Sequence, residues 1–323
     1  MTKQAVLALL ASADAPVSGE EMCRALGVSR AAVWKAIEAL RAEGYEIEAA
    51  PRRGYALRAC PLSKAAIAAR LEKAGWQPEL IVLQQVDSTN NDLKARAASG
   101  APDETAVLAI RQSAGRGRRG RSFLSEEGGL YLSFLIRPHA APQALLHLTA
   151  LAGLCVCRAV EQVCGLRPEI KWPNDPVLGG KKLCGILTEL SVSMETREAE
   201  YVVIGIGINC NQRAFPPELS LATSLRMALG RAVDGNELAA ALLLELHRMR
   251  QEFLTHKAQW VEAFAAQCLT VGKDVQLLQN GAVIPARAVS IGPDAELQVV
   301  YPDGRAASIS SGEVSVRGLY GYV

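Results

Sequence analysis

The sequence predicts an α+β chain of three successive units: a winged helix-turn-helix over residues 1–62, a central α/β domain with a mixed sheet and helices over 63–270, and a small β-barrel over 271–323. Three observations predict it. The first sixty residues carry helix caps and apolar positions at helical spacing, followed by two short β-like runs across a basic turn. From residue 80 onward β-rich apolar runs alternate with helical stretches, and from residue 271 short β runs follow one another between Gly and Pro-Asp-Gly turns. A length of 323 residues, 50% hydrophobic and 21% charged, suits a chain that buries a sizeable core, which excludes a disordered polymer and a disulfide-stapled miniature.

In chain order, Val6, Leu9 and Leu10 carry a first helix. Ser18 followed by Glu21 reads as a capping box that opens a second, bearing Met22, Ala25 and Leu26. After Gly27-Val28, Ser29 caps a third helix whose apolar positions Val33, Ile37 and Leu40 fall on one stripe, and Gly44 closes it. Residues 45–48 and 55–57 read as strands joined by Pro51-Arg52-Arg53-Gly54. Cys60-Pro61 is a hinge, and 62–75 a helix or linker. Strands are expected at 80–86, 105–111, 130–136, 182–190 and 201–209, and helices at 90–99, 143–164, 237–253 and 257–268. The barrel strands are expected at 275–278, 283–290, 297–301, 306–309 and 314–317.

Lys plus Arg number 35 against 33 Asp plus Glu, a net charge of +2, so any basic site must be local. The first sixty residues hold eight basic and seven acidic side chains, a weak electrostatic case for nucleic acid on count alone. Placement is more telling. Ser29, Arg30, Trp34 and Lys35 lie near the N-terminal half of the third helix, off its apolar stripe, where a recognition helix meets base edges; Arg52 and Arg53 sit on the turn that reaches phosphates or a minor groove. Such three-helix units also serve as interaction or dimerisation modules, and the placement favours DNA.

Eight cysteines lie mostly in apolar runs without a repeated C-x-x-C or a nearby His, which reads as reduced, buried thiols and a cytoplasmic protein. The longest charge-free stretch, 138–157, contains prolines and polar residues and reads as a buried core helix, so no membrane is expected. The N-terminus runs into a capped amphipathic pattern in place of a cleavage site. The four histidines show no metal-binding spacing with a carboxylate, so histidine-based catalysis is poorly supported.

The densest feature is the run 111–121, with five arginines and no acid. Glycines let backbone N–H groups converge on one concavity and arginine forks match carboxylate and phosphate oxygens, so an anion belongs there. Gly115-x-x-x-x-Gly120-Arg121-Ser122 nearly spells a P-loop, but a strand-like run follows where a P-loop must open a helix. An RG-rich disordered segment fits poorly between two apolar strands. A second constellation joins Lys171-Trp172-Pro173-Asn174-Asp175 to Lys181-Lys182-Leu183-Cys184-Gly185. A strand, turn and strand would bring Lys171 and Lys182 together, with Asn174 and Asp175 able to bind a nucleotide, orient a lysine or hold a cation. Gly205-Ile206-Gly207-Ile208-Asn209 lacks the third glycine of a dinucleotide fingerprint.

Taken together, DSTN at 87–90, GRGRRGR at 115–121, KWPND at 171–175, KLCGIL at 182–187 and GIGIN at 205–209 resemble the biotin protein ligase family, and the preceding helix-turn-helix resembles its bifunctional ligase/repressor form. The resemblance covers essentially the whole chain, down to residues 310–315 of the barrel. It implies a biotin-ligase catalytic fold and an SH3-like barrel. It also implies that biotin and ATP, with Mg²⁺, are joined as biotinyl-5′-adenylate, and that biotin then passes to a lysine of a biotin carboxyl carrier protein of acetyl-CoA carboxylase. Operator DNA and a ligand-promoted homodimer are the further partners it implies. A reaction that presses a carboxylate against an α-phosphate needs concentrated positive charge more than a proton-transfer device.

By the same resemblance Ser88, Thr89, Asn90 and Gln112 would hold biotin, with Gly185 in the same pocket and Arg116-Gly117-Arg118 closing over ligand and adenylate. Lys182, Arg118 and Lys171 would be catalytic, Lys182 at the carboxylate or acyl-phosphate. Gly115, Arg119, Arg121, Asn174, Asp175 and Asn209 would join Arg116, Arg118 and Lys171 around ATP, pyrophosphate or Mg²⁺. Phe123 stands where the family commonly has Trp, and Ser122 where Lys is common; a smaller aromatic lacks the indole N–H. A lipoate or octanoate ligase of the same fold, and a regulator that only senses biotin, are the alternatives, and the motif spellings and the retained lysines and arginines favour biotin ligation.

Overall fold

The computed structural model describes residues 2–318 apart from positions 12, 14, 43–44, 51–52, 60, 280–281 and 311–314. Helices α1 (Thr2–Ala11), α2 (Gly19–Leu26) and α3 (Arg30–Ala42) precede a hairpin of β1 (Glu46–Ala50) and β2 (Gly54–Ala59). The capping box forms as expected: the Glu21 amide donates to the Ser18 hydroxyl at 3.1 Å and the Ser18 amide to the Glu21 carboxylate at 2.8 Å. Ser29 likewise accepts from the Ala32 amide at 3.2 Å. Val6, Leu10, Met22, Val33, Ile37, Leu40 and Ile47 close into a core of their own, which gives the helix-turn-helix independent packing. The expected helix end at Gly44 and the turn residues Pro51 and Arg52 lie outside the described residues, as does Cys60 of the expected hinge.

The central unit runs α4 (Lys64–Lys73), β3 (Leu80–Val86), α5 (Thr89–Ala98), β4 (Ala106–Gln112), β5 (Leu130–Ile136), α6 (Leu148–Cys164), β6 (Glu169–Lys171), β7 (Asp175–Leu178), β8 (Lys181–Lys182), β9 (Cys184–Val192), β10 (Ala199–Ile208), α7 (Leu225–Leu229), α8 (Gly235–Glu252) and α9 (Lys257–Gln267). Among the described residues the main sheet has the order β3-β4-β5-β10-β9, with β3 and β4 parallel and the other pairs antiparallel. It is a mixed sheet with helices on both faces. Strand alternation sorts its side chains. Leu132 and Phe134 of β5 and Ile204 and Ile206 of β10 join the large core with α6 and α8, while Leu135 and Val203 meet Leu93 and Ala97 of α5 on the other face.

Two expectations change here. The stretch expected as one strand over 182–190 is split at Leu183, and Lys171 and Lys182 do not face each other across a hairpin. Strand β7 lies between them in a three-stranded sheet of order β6-β7-β8, because Asp175 to Leu178 pairs on both sides. The helical stretch Pro142–Cys164 is long and apolar enough to cross a membrane by length and composition, yet 72% of its most apolar window is buried inside the protein. Of the cysteines the structure describes, Cys155, Cys157, Cys184, Cys210 and Cys268 are buried and none is in a disulfide. Burial pushes the Cys157 thiol up to about 12, as it does for inert structural thiols.

The C-terminal strands β11 (Asp274–Gln279), β12 (Ala282–Ile291), β13 (Leu297–Val300), β14 (Ala306–Ile309) and β15 (Ser315–Gly318) form an antiparallel sheet of order β14-β13-β12-β11-β15. Val275, Leu277, Ala288, Leu297 and Val299 belong to the same core cluster as the main sheet. Trp172 adds a specific tie, its indole N–H donating to the Ala295 carbonyl at 2.9 Å. The helix-turn-helix is tied more lightly. Glu46 of β1 meets Arg213 and Arg226, the latter at 3.4 Å, and Asn236 at the start of α8 donates to the Pro61 carbonyl at 3.0 Å.

His147, fully buried before α6, contacts the Phe253 carbonyl through Nε2 at 3.1 Å. A carbonyl only accepts, so Nε2 carries the hydrogen, and Nδ1 has no partner among the described residues. Burial holds this histidine below its ordinary value of 6.5. The folded state therefore binds fewer protons than the unfolded chain around and below that pH, and stability should fall as pH drops from 6.5, by at most about 1.4 kcal/mol per pH unit for one proton. Thermal melts between neutral and mildly acid pH should show this slope reduced in His147→Gln.

Candidate active site

On the α5 face of the main sheet the side chains of β9 and β10 give way to glycine. Gly205 and Gly207 alternate with Ile204, Ile206 and Ile208, so the isoleucines enter the core and the glycines leave the opposite face bare; Gly185, paired with Gly207, extends the clearing. A Cβ on Gly205 would lie 2.1 Å from Asn90 Oδ1, and one on Gly207 2.6 Å from the Phe123 ring. The motif that fails as a dinucleotide fingerprint is thus the floor of a pocket of about 440 Å³, a size suited to a small organic ligand.

The wall at one end comes from the N-terminus of α5 and the end of β4. The Thr89 amide donates to Gln112 Oε1 at 2.8 Å, and Gln112 Nε2 donates to the Ser125 hydroxyl at 2.8 Å. Ser88, Thr89 and Asn90 are buried and line the pocket. Phe123 lies over Gly185 and Gly207 and meets Tyr131 edge to face at 6.4 Å between centroids, so the ring seats on the glycine floor itself.

The arginine run crosses the pocket as a tight turn. Gly115 O accepts from the Phe123 amide at 2.8 Å and Arg121 O from the Gly117 amide at 2.7 Å, with residues 118–120 in a single 3-10 turn. These two amides serve the turn's own closure. Its guanidinium groups supply the charge. Arg118 donates to Asn174 Oδ1 at 2.9 Å, and Arg116 meets Glu189 at 3.1 Å and Asn91 at 3.0 Å. Strand β5 follows the turn, so the P-loop reading fails in three dimensions as well.

At the other end stand Lys171, buried and 7% exposed, and Lys182, whose Nζ lies 2.7 Å from Asp175 Oδ1. Asn174 anchors this corner by donating to the Ile186 carbonyl at 2.7 Å. One end of the pocket is therefore apolar with hydroxyl and amide groups, and the other is cationic. That is a division suited to a ligand with an uncharged head and an acidic tail.

Residues 82–209 match the biotin/lipoate A/B protein ligase family, and residues 2–56 match an HTH domain. The bifunctional ligase/repressor BirA of Bacillus subtilis is 37% identical over 299 residues, covering 89% of this chain and 90% of that protein. This chain belongs to the biotin protein ligase family. The Escherichia coli bifunctional ligase/repressor BirA is 35% identical over 254 residues, 77% of this chain and 76% of its own. A biotin protein ligase of Aquifex aeolicus, solved in complex with biotin and ATP, superposes with a TM-score of 0.66 at 33% identity over 74% of this chain and 99% of that one. A helix-turn-helix and a ligase domain of this family share this one chain.

Within this family fold the pocket gathers Ser88, Thr89, Asn90, Gln112, Arg116, Gly117, Arg118, Arg121, Lys171, Asn174, Asp175, Lys182 and Gly185 from the sequence-derived set. Two of that set stand behind the lining. Gly115 is buried in the fold of the turn, and Asn209 braces the lysine strand, its amide donating to the Leu183 carbonyl at 2.9 Å and its side chain to the Lys182 carbonyl at 3.4 Å. The side chain of Arg119 lies outside the described residues. Sequence reasoning did not assign Gly205, Gly207, Leu187 or Leu221 to the pocket. The alternation of glycine with isoleucine was the available signal for the first two. On the helix-turn-helix, Arg30, Trp34, Lys35 and Arg53 are exposed, Trp34 to 59%, while Arg52 lies outside the described residues.

Proposed function

We propose that this chain is a biotin protein ligase that joins biotin and ATP as biotinyl-5′-adenylate, releases pyrophosphate, and transfers biotin to a lysine of a biotin carboxyl carrier protein. Its N-terminal unit makes it a biotin-responsive repressor of biotin synthesis genes as well. The observation that carries the reading is the pocket divided into a glycine-floored end and a cationic end, in a family member that also bears a helix-turn-helix.

In the first step a carboxylate oxygen of biotin attacks the α-phosphorus and the bond to the bridging oxygen of pyrophosphate breaks. In the second the carrier's ε-amine attacks the acyl carbon and AMP leaves. Lys182 and Lys171 lower the repulsion between the two anions, and Arg118, held by Asn174, places positive charge over the phosphates. Thr89, Asn90 and Gln112 fix the uncharged head so that the carboxylate is aimed at phosphorus. Mg²⁺ enters with ATP as part of the substrate, held chiefly by phosphate oxygens. Asp175, the one carboxylate among the described lining residues, is suited to complete its shell. Gly115 and Asn209 support the arginine turn and Lys182 from behind.

The domain bounds 1–62, 63–270 and 271–323, and an SH3-like barrel for the last, belong to the same reading, supported by the separate core of the helix-turn-helix and the antiparallel order β14-β13-β12-β11-β15. Operator DNA would be read by Ser29, Arg30, Trp34, Lys35, Arg52 and Arg53 in a ligand-promoted homodimer in the cytoplasm. Incubation with biotin, Mg-ATP and a carrier domain should add one biotin per carrier by mass, and biotin plus ATP should tighten binding to DNA upstream of biotin genes. No added mass would overturn the ligase reading, and unchanged DNA affinity the repressor reading.

A further inference from the structure

Glu189 of β9 lies behind the pocket and outside every motif. Its Oε2 accepts from Asn90 Nδ2 at 2.8 Å, while Oε1 takes Lys94 Nζ at 2.8 Å and Arg116 Nη1 at 3.1 Å. One carboxylate thus holds the buried amide of the pocket wall and the first guanidinium of the arginine turn. Burial raises this carboxyl, but hydrogen bonds from Lys94 and Asn90 and the charges of Lys94 and Arg116 outweigh it and keep it below the ordinary value, ionised at neutral pH.

An ionised carboxylate only accepts, and that fact runs through the wall. Together with the Leu187 carbonyl, which accepts from the same nitrogen at the longer distance of 3.3 Å, it holds the Asn90 amide with Nδ2 toward Glu189 and Oδ1 toward Ser133, whose hydroxyl lies 2.6 Å away. Oδ1 only accepts, so the single Ser133 hydrogen goes to it. The Thr89 and Ser133 oxygens, 2.8 Å apart, then need a hydrogen between them, and the Thr89 hydroxyl supplies it in preference to its longer 3.1 Å contact with Gln112 Oε1, which also takes the Thr89 amide at 2.8 Å. Thr89 is left with an oxygen lone pair for the pocket, an acceptor for an N–H of the ligand. The room for this arrangement exists because position 205 is glycine.

We propose that Glu189 is a positioning residue for the biotin end of the site: it sets the proton polarity of the Asn90–Ser133–Thr89 wall and tethers the arginine turn through Arg116. A neutral glutamine of equal size cannot do both. With its oxygen toward Asn90 it turns an NH₂ on Lys94 and Arg116; with its NH₂ toward Asn90 it forces the amide to flip and reverses the wall.

The inference rests on the biotin reading of the pocket, and wild-type turnover with biotin tests that reading separately. In Glu189→Gln the KM for biotin should rise at least about tenfold, the loss of a charge-assisted hydrogen-bond network, while the KM for ATP stays within about twofold. Without ligands, trypsin should cleave after the loop arginines at least about threefold faster, the tether being gone. Ser133→Ala cuts the wall one link further on, leaves the tether intact, and should raise the biotin KM without changing the cleavage rate; it carries the test if Glu189→Gln does not fold. A biotin KM within about threefold of wild type in both variants overturns the proposal, and so does an equal rise in the KM for ATP, the mark of a general loss of structure.

Discussion

Replacing Lys182 by alanine is expected to lower the rate of biotinyl-adenylate formation by about 10²–10³-fold, or about 2.7–4 kcal/mol of transition-state stabilisation, the usual cost of removing one preorganised charge at a reacting oxyanion. The side chain is held at the cationic end by Asp175 at 2.7 Å; on one flank its backbone is locked to residues 221–223, its amide donating to the Leu221 carbonyl and its carbonyl accepting from the Thr223 amide, and on the other its strand pairs with β7. The charge is therefore in place before substrate arrives, and no rearrangement offsets its loss. Pyrophosphate release under saturating biotin and ATP reads the effect. A variant as active as wild type would remove Lys182 from the reaction.

Gly115→Ala is expected to be almost as damaging although it removes no functional group. A Cβ there would lie 2.4 Å from the Phe123 carbonyl oxygen and 2.4 Å from the Ser125 hydroxyl, so the turn closed by the Phe123 amide on Gly115 must open. Opening it moves Arg116 and Arg118 on one side, and Phe123 and the Ser125 partner of Gln112 on the other. Displacing positioned groups by about 1 Å costs on the order of 100-fold in kcat/KM. The loop sits at the pocket mouth and outside the main core, so stability should fall by only about 1–3 kcal/mol. A thermal melt beside a kcat/KM measurement separates the two; a fall in activity no larger than the loss of folded protein explains would count against the role of the turn.

Much of the fold was legible because periodicity and capping are local. The capping box at Ser18 and Glu21, the stripe Val33, Ile37, Leu40 and the runs that became β3 and β5 each depend on residues within one or two turns or one strand. The lysine sheet was misread for a reason of the same kind: Asp175 to Leu178 is a four-residue strand with a proline inside, too short to leave a pattern, and only its pairing on both sides makes it a strand. The arginine turn was legible as a concentration of charge, but the bonds that close it, Phe123 amide on Gly115 and Gly117 amide on Arg121, were not, because which hydrogen bonds close a loop depends on where its two ends are pinned.

By itself the sequence determined the class of chemistry. An acid-free run with five arginines, two lysine-bearing motifs and a helix-turn-helix ahead of them are statements about charge and local structure, and they hold in any packing. The tertiary structure decided which groups share a pocket and what stands behind them. Gly205 and Gly207 became a floor when β10 paired with β5 and β9, and Glu189, an unremarked residue of an edge strand, came to hold Asn90, Lys94 and Arg116 at once. Positions 90, 116 and 189 are far apart in the chain. Their meeting is set by sheet order and register, quantities that no local pattern of residues encodes.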